Sequence, residues 1–290
     1  MIGKAKGHGN RIQPGRIPEP DRLCWHTREA SLPALRGVIA AHSASIPFEN
    51  IDPFLGRAPK LDVASLQAKM VASRRGGYCF EHNALLRAGL IALGFDVTSL
   101  VARVVLGGSA DAFTPATHMI LRVDLPEGPF LADVGFGHQT ATLPLRLQPG
   151  LEQQTQHEAM RLTPASEELV LEARLAGSWQ HLYRFSLRPT PDIDYEVGNW
   201  FCATYPGLFT ENLIVARAGA ERMRHTFLNG RVTVRRDGEV VEQRVVEGER
   251  ALAVVLAEPF LLTLPDEGVA ALLRQMSEKG ILGASNPIFG

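Results

Sequence analysis

The sequence predicts an α+β fold laid out in three successive parts: a helical first third, a middle built as an antiparallel sheet or small barrel, and a last third mixing strands with a closing helix. Three observations carry this expectation. Apolar residues recur at three- and four-residue steps as far as about Gly94, short β-rich runs broken by Gly, Pro and Asp follow from Phe95, and helical spacing returns near the C-terminus.

In the first third, Ser31 stands ready to cap a helix ahead of Pro33, with Leu35, Val38 and Ile39 as its apolar stripe. Asp62 caps a second helix carrying Val63, Leu66 and Met70. A third helix begins at or just after Cys79 and runs through Ala84, Leu86, Leu90 and Leu93 to a stop at Gly94. Strands are expected over residues 97–106, 119–123, 130–134, 168–175 and 179–187, after which Pro189, Pro191 and two aspartates predict a linker at about 188–197. Further on, strands over 231–235 and 239–246 flank Asp237-Gly238, a hairpin signal. A final helix has Asp266 at its N-cap, Val269, Leu272, Leu273 and Met276 on one face, and Gly280 at its end. The tail over 281–290 is uncapped and is expected to lie on another surface.

With 290 residues, 45% of them hydrophobic and 21% charged, the chain is long enough for a real core in two or three domains. A formal net charge of -1 gives no electrostatic case for nucleic acid or an anionic membrane. Lys4, Lys6, Arg11 and Arg16 lie among Gly and Pro without the apolar segment of a signal peptide, and no apolar run is long enough to span a bilayer. The expectation is a cytoplasmic protein. Cys24, Cys79 and Cys202 are odd in number, widely spaced and without a Cys-x-x-Cys pair, which argues against a disulfide framework or a structural zinc site. His157-Glu158 lacks the second histidine of a zincin helix, and Gly135-Phe136-Gly137 leads to Thr140 where a dinucleotide fingerprint needs glycine. No metal is expected.

The run Arg74-Arg75-Gly76-Gly77-Tyr78-Cys79-Phe80-Glu81-His82-Asn83 delivers a cysteine to the point where a glycine turn enters a helix. Free N–H groups and the dipole at such an end favour the thiolate, and Gly76 and Gly77 allow the backbone to approach a ligand closely. Residue type alone leaves Cys79 open between a nucleophile and a buried structural thiol. A nucleophile needs a base and a group to orient it. Thr117-His118-Met119 opens one apolar strand and Leu131-Ala132-Asp133 lies in the next, so neighbouring strands would let Asp133 accept a hydrogen bond from the His118 ring. Taken singly, His118 reads better as a core histidine and Asp133 as a turn or cap residue, and it is their combination with Cys79 that points to a catalytic set.

Together, Ile46-Pro47-Phe48-Glu49-Asn50, Arg75-Gly76-Gly77-Tyr78-Cys79-Phe80-Glu81-His82-Asn83, Thr117-His118-Met119 and Ala132-Asp133-Val134-Gly135-Phe136-Gly137 closely resemble the arylamine N-acetyltransferases in residue type, order and gaps. Asn199-Trp200-Phe201 and the segment from Asn212 to Arg217 are similar to later family segments. The resemblance implies a cysteine-protease-like Cys79-His118-Asp133 triad, with acetyl-coenzyme A as cosubstrate and no permanently bound cofactor. Acceptors would be small aromatic amines or hydrazines, with O-acetylation of N-hydroxyarylamines as a related activity, and the chain would be a monomer or homodimer. It implies a helical bundle over 1–95 carrying the nucleophile, a β-barrel over 96–197 carrying His118 and Asp133, and an α/β lid over 198–290. By the same likeness Glu49 and Arg75 form an ion pair that, with Gly76 and Gly77, supports the loop before Cys79. Phe48, Val104, Gly135, Phe136, Gly137 and Phe209 would line the substrate pocket.

Two departures stand out: Arg16-Ile17-Pro18-Glu19-Pro20 replaces the usual Arg-Ile-Gly ending of a first short helix, and Tyr205 stands where a histidine is expected. The alternatives are another Cys-His-Asp acyltransferase or amide synthase on the same fold and, from a different class, a catalytically silent binding protein. The short gap from Cys79 to His118 argues against a papain-like peptidase.

Overall fold

The computed structural model describes residues 30–283, so the readings of Cys24, of 16–20 and of the tail beyond 283 lie outside the described residues. Helix α1 (Leu32–Ser45) opens behind Ser31 with Pro33 in its first turn, and it buries Leu35 and Ile39. The chain then extends through β1 (Phe48–Glu49) into the single turn α2 (Ile51–Phe54). Asp62 caps α3 (Val63–Leu66) by accepting the Ser65 N–H at 2.9 Å. Beyond Leu66 the helix widens into a π-helical segment, Gln67–Ala72, which brings in Lys69. Helix α4 (Cys79–Ala92) starts at Cys79 itself and stops at Gly94, whose φ of +86° only glycine adopts without strain.

Eight antiparallel strands follow: β2 (Asp96–Val104), β3 (Ala116–Leu125), β4 (Gly128–Ala132), β5 (Leu145–Arg146), β6 (Gln153–Gln154), β7 (Ala159–Ala165), β8 (Glu168–Leu175) and β9 (Ser178–Phe185). They form one sheet in the order β5-β4-β3-β2-β9-β8-β7-β6. Its two edges meet through a single side chain: the Gln153 amide bonds the N–H and the C=O of Arg146 at 2.7 and 3.0 Å. The sheet is thereby nearly closed into a barrel, filled by Leu100, Ile120, Leu131, Met160, Leu171 and Leu182 among others. Strands β3 and β4 pair as a hairpin with Leu121 opposite Ala132. Asp133 falls just past the end of β4, one residue outside the ladder in which the sequence reading put it.

The expected linker over 188–197 ends early, because α5 (Asp192–Thr204) is helical. Pro191 sits at its N-cap and Asp192 and Asp194 occupy its first turn, so residues that read as a break are favourable at a helix start. After α6 (Leu208–Glu211) come β10 (Ile214–Ala218), β11 (Met223–Leu228), β12 (Arg231–Arg236) and β13 (Glu239–Val245). The hairpin turn at Asp237-Gly238 has φ of +53° and +86°, as a two-residue type I′ turn needs. These strands form a second sheet in the order β1-β10-β11-β12-β13, so β1 joins strands from the other end of the chain. Helices α7 (Glu249–Ala257) and α8 (Asp266–Glu278) cover it over a core of Phe227, Val232, Leu252, Leu256, Phe260, Leu272 and Met276. Pro265 rather than Asp266 is the N-cap of α8, and Asp266 is its first helical residue. A third core, built from α1, α4, β3, β4, α5 and β10, joins the two sheets around Tyr78, Cys79 and Phe80.

Candidate active site

The turn before Cys79 is shaped by its own protein neighbours. A Cβ on Gly76 would lie 2.1 Å from the Pro47 carbonyl oxygen, and one on Gly77 would lie 2.8 Å from Glu81. Glycine is required there by packing against β1 and α4, which corrects the expectation that Gly76 and Gly77 admit a ligand. The Glu49 N–H donates to the Gly77 carbonyl at 2.8 Å, tying the turn to β1.

Beneath the turn lies a cluster of charges. Arg75 donates through Nε to one Glu49 oxygen at 2.9 Å, its Nη2 lies 2.7 Å from the same oxygen as an ion pair, and the other oxygen accepts the Ile51 N–H at 2.7 Å. Lys69 Nζ lies 2.7 Å from both Asp52 Oδ2 and Glu81 Oε1. Glu81 Oε2 accepts the Tyr78 N–H at 3.1 Å and so caps α4. The expected Glu49–Arg75 pair is present, and Asp52, Lys69 and Glu81 extend it. Glu81 was findable, since an acid three residues into a helix is a capping position. Lys69 left no such signal, because its reach depends on the π-helical segment. Burial works against the Lys69 charge, but Glu49, Glu81 and Asp52 outweigh it and hold the ammonium above its usual range. Burial pushes Glu81 up to about 7.

Cys79, the first residue of α4, is buried, and its Sγ lies 3.5 Å from the Thr117 carbonyl oxygen. His118 Nε2 lies 2.8 Å from Asp133 Oδ2, and both side chains are almost wholly enclosed. The second Asp133 oxygen accepts from Asn83 Nδ2 and from the Gly135 N–H, each at 2.9 Å. Asn83 also donates to the Met119 carbonyl at 2.7 Å and accepts the Val134 N–H at 3.1 Å. One turn of α4 therefore carries both Cys79 and the amide that fixes Asp133. Burial tends to raise the Asp133 pKa, but the His118 charge and the bonds from His118, Asn83 and Gly135 hold it below the usual carboxylate range. An ionised Asp133 makes His118 Nε2 the donor between them, which in the neutral tautomer puts the lone pair on Nδ1. For Cys79, burial pushes the thiol well up, against smaller pulls from the Met119 and Phe80 N–H groups. Burial thus opposes the pull of the helix end toward the thiolate.

Cys79 and His118 open onto a cavity of about 370 Å³. Phe48, Val104, Gly135, Phe136, Gly137 and Phe209 all line it. Thr117, Phe201, Cys202 and Tyr205 line it as well. The Tyr205 ring stacks on Phe201 at 4.8 Å and 15°. Asn50 secures the Phe209 wall, donating to the Phe209 and Asn212 carbonyls at 2.7 Å each. The walls are mostly apolar, suited to a flat uncharged ring more than to an ion. Among the described residues no group of three or more His, Cys, Asp or Glu side chains is arranged to hold a metal ion, and no helix is long and apolar enough to cross a membrane.

A family model described as N-acetyltransferase matches residues 31–269. An arylamine N-acetyltransferase of Mycolicibacterium smegmatis is 46% identical over 215 residues, covering 72% of this chain and 74% of the relative. An arylamine N-acetyltransferase / N-hydroxyarylamine O-acetyltransferase of Salmonella typhimurium is 39% identical over 234 residues, covering 80% and 83%. The solved structure of the Mycobacterium marinum arylamine N-acetyltransferase in complex with CoA superposes with a TM-score of 0.81 at 36% identity, covering 92% of this chain and 98% of that one.

Proposed function

The chain belongs to the arylamine N-acetyltransferase family, and from that premise we propose that it carries acetyl groups from acetyl-coenzyme A to arylamine or hydrazine nitrogen, with Cys79, His118 and Asp133 as its catalytic residues. The observation that carries this reading is the oriented His118–Asp133 pair sharing a mostly apolar cavity with Cys79.

In the first half-reaction His118 Nδ1 takes the Cys79 proton and Asp133 stabilises the imidazolium. The sulfur attacks the thioester carbonyl, and free N–H groups at the start of α4 hold the oxyanion; one such preorganised donor is worth roughly 3 kcal/mol. Collapse expels coenzyme A as its thiol, which takes the proton from His118 and leaves acetyl-Cys79. One thioester replaces another, so the step is close to balanced. An uncharged aromatic amine then attacks the acetyl carbon, His118 accepts its proton, and Cys79 leaves. N-Hydroxyarylamines enter the same cavity and are acetylated on oxygen, the activity for which the Salmonella relative is named. In this reading the helices through α4 deliver the nucleophile, the barrel supplies base and orienting carboxylate, and the C-terminal α/β part covers the site.

The test is direct. Incubation with acetyl-coenzyme A should place an acetyl group on the Cys79 peptide by mass spectrometry, and added arylamine should remove it. Cys79→Ser should stay unlabelled. Absence of the adduct on the wild-type protein overturns the proposal.

A further inference from the structure

We propose that Cys202 is a resolving cysteine for Cys79: under peroxide the two close a reversible disulfide that seals the cavity and spares the nucleophile from irreversible oxidation. The proposal rests on Cys79 being the thiol that His118 activates, not on which acyl group it carries.

Helix α5 lies against the two residues that flank Cys79. The Tyr78 hydroxyl bonds the side chain of Asn199, and the Phe80 ring packs on Tyr195 at 6.3 Å. It also meets the backbone at Gly198, where a Cβ would lie 2.7 Å from its tip. Tyr195, Gly198, Asn199 and Cys202 follow the three- and four-residue spacing of one helix face. Cys202 is thus one turn beyond Asn199, packed against the core that contains Cys79, and lining the same cavity. Thr117 touches both cysteines, its carbonyl oxygen 3.5 Å from Cys79 Sγ and its side chain bonded to Cys202. Cys202 belongs to the last turn of α5, closed by the Tyr205 N–H on the Phe201 carbonyl at 2.9 Å, and joining the sulfurs requires that turn to move toward Cys79.

The two thiols are chemically unequal. Burial pushes Cys202 up to about 12, and it has no neighbouring base comparable to His118. Cys79 therefore reacts first: its thiolate attacks hydrogen peroxide, an S–O bond forms as O–O breaks, and hydroxide leaves as water with the proton held by His118. Cys202 sulfur then attacks the sulfenic sulfur, S–S forms as S–O breaks, and a second water departs with the Cys202 proton. Two thiols and one peroxide become one disulfide and two waters.

The experiment uses the full chain in a Cys24→Ser background, leaving only Cys79 and Cys202, treated with hydrogen peroxide, blocked with N-ethylmaleimide and mapped without reduction. The expected product is a Cys79–Cys202 linked peptide, formed more slowly once acetyl-coenzyme A has acylated Cys79, with dithiothreitol restoring both thiols. In Cys202→Ser and Cys202→Val, checked for fold by circular dichroism, the linked peptide should vanish. Cys79 should then pass on to sulfinic acid, so that recovery with dithiothreitol falls from near complete to near none. Oxidation of Cys79 with no linked peptide, or equal recovery with and without Cys202, overturns the proposal. If the acetyl adduct forms but the disulfide does not, this inference fails alone; if neither forms, the nucleophile assignment fails with it.

Discussion

Asp133 receives three hydrogen bonds, from His118, Asn83 and the Gly135 N–H, in a setting with almost no solvent. Only an ionised carboxylate accepts all three, and that fixes the His118 tautomer. Asp133→Asn presents an N–H₂ where acceptors are needed; acylation by acetyl-coenzyme A should slow by about 10⁴-fold while the fold survives. Single-turnover acylation at the wild-type rate would refute the role. Asn83→Ala removes the amide that joins Asp133 to Met119 and Val134, leaving buried groups unpaired at about 1–3 kcal/mol each. Urea denaturation should show that loss, with slower acylation beside it. That Cys79, His118 and Asp133 would meet was expected from the motifs and gaps of the resemblance, since residue type alone left each of them open. Asn83 was not, since an amide one turn into a helix declares no purpose until the strand ends it touches are in view. The raised Cys79 thiol was hidden for a related reason: burial outweighs the helix end, and depth is a property of the packed chain.

Among elements, the segment from β1 to the start of α4 depends on shared charge. Three carboxylates, Glu49, Asp52 and Glu81, face two cations, Lys69 and Arg75, and each cation contacts at least two of the acids. Removing one partner strands a buried charge. Arg75→Met should cost about 3–5 kcal/mol, because Glu49 has no exposed surface to turn toward. Chemical denaturation measures it, and a loss under about 1 kcal/mol would mean the pair is no better than an exposed one. Arg75→Lys should recover part of the stability by keeping the charge without the guanidinium geometry. Helices α1 and α3 were legible from Ser31-Leu32-Pro33 and Asp62 at their starts, and α4 and α8 from Gly94 and Gly280 beyond their ends, though α8 is capped at Pro265 rather than Asp266. Helix α7 was not expected, since its run Leu252-Ala253-Val254-Val255-Leu256 gives an apolar stretch without clear period. Strand β1 is two residues long and joins its sheet by pairing with β10, a partnership no local window contains.

For the whole molecule, buried histidines make acid the weak side. Burial is the main cause in each case: it lowers His82 and His157 to about 4 and His138 to about 3, and holds His42 well below its usual value. Such groups bind protons in the unfolded chain below about 6.5 but not in the folded one until far lower. Their stabilisation is complete above that pH and is lost as pH falls toward 4, by up to about 1.4 kcal/mol per pH unit for each group. Glu81 acts oppositely, since an acid raised to about 7 loses stability as pH rises from its ordinary value, and one such group offsets one histidine. The urea midpoint should therefore drop between neutrality and about pH 5, and His82→Gln, which keeps a donor for the Pro47 carbonyl, should flatten the drop. A midpoint that holds steady over that range contradicts this account. The pairing of β1 with β10 has a further consequence in time. Asn50 and Ile214, joined at 2.7 Å, are 164 residues apart, an interval of roughly 10–30 s at ordinary rates of synthesis. A growing chain carries Cys79 and, 39 residues on, His118 long before the strand that steadies the turn has been made, so the turn gains that support only after the whole barrel has been synthesised.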